Sequence, residues 1–576
     1  MRRAPAIRFD TVSPPSGESL PRMDVPLWIG LVSPGGPTAP VPVESVEQFE
    51  RIFGGEVLLG WNPVRKRNEV SWLPRAVRRF FAQGGQRCWV LGIPYTYGDP
   101  LTPELWVHEE LTSATVADLP ALAEAVVTRG GLLRGLHAAF SLTEPSLIAL
   151  PDLSHGVVRP VAARSNPTPS AATPKEEHTV RETFRPCSSD RLPAPRLRVE
   201  RLEVPAPGLR LLWTHRTSGA NAVEVQEAGE PDFHQPGLLF RGAGHQATVW
   251  GSFPALRYFR ARSLAGDQAS AWSDPVALIP EIPEEHSFEV APVDAARRTE
   301  IQGVQRALLR LCAARGDTVA VLAVPEAVSA GDARSFAEDL GDSNALFVPI
   351  GRRGIPPLSS SEQNVLSFGM LVHPWLVERN ADGSLVSVPP EAAMVSLIVK
   401  RTLARGVWYA PGNEPLTGVI GLEPGLSRAD QKVLIASGIN VLSNEPKGVV
   451  SLTANTLTAD EAYRPLVVRR LLALLRRLAL ERGQRYAFEP LGETLLRTVQ
   501  HSFEELLGRL FARGAFAGKT PAAAYRVETG PTVNPPTNLD LGRLVVELRV
   551  APALPLTFIT LRLEQAGGQG LITEVN

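Results

Sequence analysis

The stretch nearest to a catalytic signature is RGAFAGKT, residues 513–520, which ends in the Gly-Lys-Thr of a phosphate-binding loop. In such a loop, G-x-x-x-x-G-K-[ST], backbone N–H groups cradle the phosphates and the lysine reaches the outer ones. Here Arg513 stands where the first glycine is required, a helical pattern precedes where a strand is required, and Pro521 follows at once. The residues read instead as a helix stop, a glycine turn and a new short helix. Gly242, Gly244 and Ala247 satisfy G-x-G-x-x-A letter by letter. They lie between two strand patterns with no helix N-terminus to hold a pyrophosphate, so they read as a hairpin turn. Cys88, Cys187 and Cys312 are too few and too scattered for a disulfide framework or a zinc site, and none of the ten histidines has metal-ligand spacing. No nucleophile elbow is present. The sequence offers no catalytic, cofactor-binding or metal residues, and the chain is not read as an enzyme.

One charge pattern invites a partner. From Pro465 to Arg482, Val467, Leu471, Leu474, Leu475 and Leu478 form an apolar stripe, while Arg469, Arg470, Arg476 and Arg477 fall on the far side as pairs seven apart. A solvated face and a face held against an acidic partner both fit. Arg509, Arg513 and Lys519 follow on the next helix and turn. The termini carry a second signal. A strand-like run that includes Ala6, Ile7, Arg8 and Phe9 has nothing nearby to bury it. At the other end Gly567, Gly568 and Gly570 form a flexible hinge before Leu571, Ile572, Thr573, Glu574 and Val575. A lone strand seeks a sheet edge. A frayed tail is the bland alternative, but one such segment at each end points to β-augmentation between subunits.

The elements that must position these residues form several domains. A chain of 576 residues exceeds one ordinary core, and length alone argues for about three or four domains. With 44% hydrophobic and 21% charged residues the composition is that of a folding globular chain. Fifty-nine basic against 60 acidic residues give a net charge of −1 and no general attraction to nucleic acid or an anionic membrane. No run reaches the roughly 18–20 apolar residues of a membrane helix, and the N-terminus lacks the apolar core of a secretory signal. A cytoplasmic product without its own export signal is expected.

Residues 1–24 read as an extended arm. Residues 25–153 alternate buried strands (VPLWIGLVS, CWVLGIP, SLIALPDLS) with amphipathic helices stopped by Gly54–Gly55 and Gly84–Gly85, the grammar of an α/β layer. Residues 154–195 are rich in Pro, Ser, Thr and charge and read as a linker. Short alternating runs over 196–280 read as a β-sandwich. A second linker spans 281–298, and α/β grammar resumes over 299–450 and 451–563, with 564–576 as a C-terminal arm. The sandwich therefore reads as an insertion into a surface loop of an older domain.

SVEQFERIFGG and LPRAVRRFFAQGGQRCWVLGI, then His373 to Trp375, the double proline Pro389–Pro390, Arg405 to Pro411, SGINVLSNEPKGVVSLTANTLTAD, GAFAGKTPAAAY and GRLVVELRVAPALP follow one another in order. Together they resemble the contractile tail sheath proteins of phages and injection systems, across residues 26–153 and 299–563. GVVSLTANTL departs from the family's usual Gly-Val-x-x-Trp-Gly-x-Arg-Thr-Leu. Within the insertion, FPALRYFRARSLAGDQASAWSDP resembles the latter half of a fibronectin type III module, with Tyr258 as its corner tyrosine and Trp213 as its core tryptophan. The resemblance implies an α/β (α+β) multidomain sheath core with an inserted all-β immunoglobulin-like sandwich and extended terminal arms. It further implies a helical homopolymer of stacked rings that surrounds an inner tube protein, meets baseplate and terminal cap proteins, and contracts to drive the tube through an envelope. It requires no cofactor, nucleic acid or membrane insertion. In such a particle Arg469, Arg470, Arg476, Arg477, Arg513 and Lys519 would face the tube, and the terminal strands would join neighbours. The competing expectation is an adhesive protein acting through the fibronectin-like module, which calls for a secretory signal.

Overall fold

The computed structural model describes residues 20–575 except 162–191, 193, 203–207, 215–219, 229–232, 234–235, 251–256, 267, 279–286, 327–328, 381–382, 487–488, 553–558 and 567–568. The N-terminal candidates Ala6, Ile7, Arg8 and Phe9 lie outside the described residues, as do Gly567 and Gly568.

Two sheets flank the long helices of the fold. The strands of the first, in chain order, are β1 (Pro26–Val32), β2 (Val41–Val43), β3 (Cys88–Pro94), β4 (Leu147–Ala149), β5 (Val319–Ala323), β6 (Gly369–His373), β7 (Ile439–Glu445) and β8 (Gly448–Ser451). Those of the second are β9 (Tyr525–Glu528), β10 (Arg543–Val550), β11 (Ile559–Ala566) and β12 (Gln569–Val575). The helices that matter are α1 (Leu73–Ala82), α2 (Ala295–Arg315), α3 (Glu391–Arg405), α4 (Leu466–Arg485) and α5 (Glu493–Ala512).

The first sheet has the order β2-β3-β1-β4-β5-β6-β7-β8. Its interior pairs are parallel and its outermost pairs antiparallel. Parallel sheets need cover on both faces, which is why β1 (PLWIGLV) and β5 (VAVLA) are continuous apolar runs buried at every residue. Leu27, Ile29 and Leu31 point to the side packed by α2, while Trp28 and Val32 point to the side packed by α1 and α3. Local chemistry sets the helix limits: Asp294 caps α2 by accepting from Arg297 N at 2.8 Å. Gly316 stops the same helix in the left-handed region at φ 70°.

β4 and β5 are separated by 169 residues of sequence yet lie side by side in parallel, with Leu147 opposite Val319 and Ala149 opposite Val321. The chain leaves this sheet along Val157–Pro160 and returns antiparallel to it along Phe288–Ala291, Val158 facing Val290. Between them lie two small sheets. One pairs Gly237–Gly242, Ala222–Ala228 and Arg257–Ala265 with short strands at Gln268–Ala269 and Val276–Leu278. The other pairs Gln246–Trp250, Gly208–Thr214 and Arg196–Leu202. They share a core of Leu209, Leu211, Trp213, Val223, Val225, Phe259 and Ala261. Tyr258 is half-buried, opposite Ala228 on one side and Ala277 on the other.

The second sheet is antiparallel in the order β9-β10-β11-β12, and α4 and α5 supply its apolar cover. The expectation for the C-terminal run changes here. The C-terminal run is not stranded, because β12 pairs with β11 of its own chain from Ala566↔Gln569 to Thr560↔Val575. Only residues 567–568 separate the two strands, so closing the pair within one chain carries a small entropic cost. Gly570, expected in a hinge, is a strand residue opposite Gln565. The end of the N-terminal arm, read as extended over residues 1–24, packs onto the subunit from Leu20 onward, with Met23 buried against α4 and α5.

Candidate assembly interface

α4 is buried on all sides from Leu466 to Leu475, and it becomes exposed only near its end, at Glu481, Gln484 and Arg485. Its stripe of Val467, Leu471, Leu474, Leu475 and Leu478 is in the core, as expected. Its arginine face corrects the expectation of a surface turned to solvent or to a tube, because that face is covered by the first sheet's domain and by the chain's own ends. Buried cations demand partners, and each of the four guanidinium groups finds them inside the chain. Arg477 donates from Nε to Asp317 Oδ2 at 3.0 Å and from Nη1 to the carbonyls of Arg22 at 2.9 Å and Glu144 at 2.8 Å. Its Nη2 reaches the carbonyl of Pro145. Arg470 donates to Thr402 Oγ1 at 2.7 Å and to the Met23 carbonyl at 2.5 Å. Desolvation pushes the Arg470 pKa down to about 9, with Asp24 opposing the shift. The helix thus ties together residues 22–23, 144–145, 317 and 402, which no sequence spacing connects.

The other two arginines hold the chain's last strand. Arg469 Nη1 donates to Glu574 Oε1 at 2.6 Å and its Nη2 to Ser367 Oγ at 2.7 Å. Its guanidinium lies over the rings of Phe368 at 4.0 Å and Tyr463 at 4.8 Å. Arg476 Nη1 donates to the Ile572 carbonyl at 3.0 Å, and desolvation lowers its pKa. Ile572 is buried, whereas Thr573 and Glu574 are exposed. The opposite edge of this sheet, β9, pairs with β10 alone among the described residues. It lies beside a groove of about 760 Å³ lined by Gln500, Glu504, Tyr525, Arg526, Glu528 and Thr529 among others.

No family model and no curated protein matches the chain. Among solved structures, a chain of the contracted anti-feeding prophage baseplate superposes with a TM-score of 0.52 at 15% identity, over 96% of each chain. A chain of the contracted helical sheath of the same prophage gives 0.49 at 16% identity, over 96% of this chain and 97% of that one. The sheath tail protein of Desulfitobacterium hafniense gives 0.41 at 10% identity, over 98% and 100%. The chain shares the fold of that contracted-baseplate chain.

Within this fold the remaining candidates fall as follows. Arg513 caps the C-terminus of α5 and Lys519 lies in the following turn; both are exposed. RGAFAGKT follows a helix, has Gly514 at φ 82° and Gly518 at φ 105°, and buries Ala515 and Phe516 in the C-terminal core. Gly242, Gly244 and Ala247 do not form the expected hairpin turn. Gly242 ends a strand of one small sheet, Ala247 belongs to the other, and the Gly244 carbonyl accepts from the core Trp213 Nε1 at 2.7 Å. Among the described residues no cluster of His, Cys, Asp and Glu could hold a metal ion, and no helix is long and apolar enough to cross a membrane.

A buried acidic pair escaped sequence reasoning. Asp152, just past the end of β4, is fully buried and accepts from the backbone N–H of Leu31 at 2.8 Å and from that of Trp72. His155 Nε2 lies 3.2 Å from the same carboxylate, and its ring stacks on Trp72. Glu391, the first residue of α3, is 2% exposed, and burial pushes its pKa up to about 8, with the Asp152 charge adding to the shift. The Pro-Asp within SLIALPDLS was the available signal for Asp152; a glutamate opening a helix is so ordinary that Glu391 gave none.

Proposed function

We propose that the chain is the structural subunit of a contractile sheath, part of a phage tail-like particle. Copies polymerise in stacked helical rings around an inner tube, and repacking of their interfaces drives the tube outward. The observation that carries this reading is the end-to-end likeness of fold, over 96% of both chains, to a chain of the contracted anti-feeding prophage baseplate. On this reading the partners are further copies of the chain, the tube, the baseplate and a terminal cap. Residues 25–153 and 299–450 form the body, 451–563 the assembly domain, and 196–280 a fibronectin-like insert carried on the outer surface.

The arms join neighbours. In the free subunit β12 closes onto its own β11, and in the polymer the same strand crosses to a second copy, exchanging one set of pairings for an identical one. The segment Ala6–Phe9 of another copy adds to the open edge of β9, beside the groove against α5. Tube contact falls to Arg513 and Lys519, since the α4 arginines are engaged within the chain. The work is mechanical and draws on interface energy.

Negative-stain microscopy tests the reading. The intact chain is expected to form tubes or striated cylinders; monodisperse particles at all concentrations would overturn the sheath assignment. Deleting Leu571 to Asn576 is expected to abolish polymerisation while circular dichroism still reports a folded chain. Tubes of unchanged yield from the truncated chain would remove the arms from the assembly while leaving the sheath standing.

A further inference from the structure

We infer that Arg469 and Arg476 select the C-terminal strand and fix its register, whichever copy supplies it. A one-residue slip in an antiparallel pair turns every side chain to the opposite face, so register must be enforced wherever one face is buried. Three contacts enforce it here. Ile572 enters the core shared with α4 and α5. Glu574, two residues on and so on the same face, meets Arg469 Nη1 at 2.6 Å, and the Ile572 carbonyl meets Arg476 Nη1 at 3.0 Å.

Both arginines also touch groups outside the strand. Arg469 is clamped by Ser367 Oγ and by the rings of Phe368 and Tyr463. Arg476 lies over Gly316, where an added Cβ would come within 2.9 Å of its Nε. Arg469 is 2% exposed, and without a carboxylate at position 574 its buried positive charge would keep only a hydroxyl and two aromatic faces. The site therefore demands a strand with a buried apolar residue, one spacer and an acid. Ile572, Thr573 and Glu574 meet that demand in every copy, so a second copy's C-terminal strand is the occupant that can replace the chain's own. This last step rests on the strand exchange proposed above; selection within one chain does not.

Hydrogen exchange on the full-length chain separates the two. Glu574→Gln is expected to speed exchange of the β12 amides by about tenfold or more, since the carboxylate that neutralises Arg469 becomes a neutral amide and the charge-assisted pair is weakened, with the first sheet unchanged. Thr573→Ala, on the opposite face, is expected to leave them as in the wild type. Equal protection in Glu574→Gln and wild type would overturn the inference, even if the wild-type chain forms tubes. Faster exchange in Glu574→Gln without tubes from the wild type would uphold selection within the chain and overturn its extension to a second copy. Where wild-type tubes form, the variant is expected to need a higher protein concentration to assemble, and an unchanged threshold would likewise overturn that extension.

Discussion

Replacing Arg477 by alanine is expected to lower the stability of the folded chain by about 3–5 kcal/mol, the usual cost of removing one partner from a buried, hydrogen-bonded charge pair. The guanidinium satisfies Asp317 and the carbonyls of Arg22, Glu144 and Pro145 together. Its removal leaves a largely buried carboxylate with fewer donors and frees carbonyls that water reaches poorly. Arg315 Nε also contacts Asp317 Oδ1 at 3.1 Å, so the carboxylate keeps one cationic partner and the loss should stay within that range. Arg477→Lys tests the geometry: lysine preserves the charge but offers one compact donor group in place of a planar fork. It is expected to restore less than half of the loss. Denaturant unfolding followed by both fluorescence and circular dichroism measures the change, two probes being needed because a chain of several domains need not unfold in one step. A loss below about 0.5 kcal/mol, the ordinary range for a surface change, would show that the arginine is not a structural clasp.

The same arrangement bears on the proposed mechanism. α4 is bonded on one side to the first sheet's domain and on the other to the last strand of the second sheet. Force applied through that strand, if a neighbour holds it, passes into a helix whose arginines are seated in the body of the subunit. A solvated arginine face would bear no such load. The buried pattern thus fits a joint between arm and body better than a surface that reads the tube.

How much of this was legible follows from what burial does to a pattern. β1, β3 and β4 were readable because strands covered on both faces become continuous apolar runs, and the small sheets because their strands alternate. The apolar stripe of α4 was equally clear. Its far side was misread because arginine has the same spacing whether water or a second domain covers it. The decisive partners, Asp317 and the carbonyls of residues 22, 23, 144 and 145, come from distant parts of the chain. The terminal strand posed a related difficulty: its composition announces that it pairs, but says nothing about whose strand it pairs with. The glycine motif at 242–247 failed for another reason, since a turn within one sheet and a crossing between two sheets use similar residues.

The stability of the chain is expected to depend on pH through Glu391. Its carboxyl is fully enclosed at the start of α3. Its own backbone N–H favours the ionised form, but desolvation outweighs this and the Asp152 charge adds to the effect, so the pKa rises from 4.5 to about 8. A group whose folded pKa is raised binds more protons in the folded state than in the unfolded one throughout the interval between the two values. Stability from this group is therefore fully present below about pH 4.5, falls as pH rises, and levels off above about pH 8. Within the window the slope approaches about 1.4 kcal/mol per pH unit. Glu391→Gln is neutral at every pH and lacks this slope. The stability of the variant minus that of the wild type should then climb between pH 5 and pH 8 by about that amount per unit, whatever other groups titrate in both proteins. Taking the difference matters because Glu326, also pushed up to about 8 by burial, slopes in the same direction in both chains. Parallel stability curves would mean that Glu391 is ionised or solvated in the folded chain, and the acidic pair with Asp152 would lose its proton-holding role.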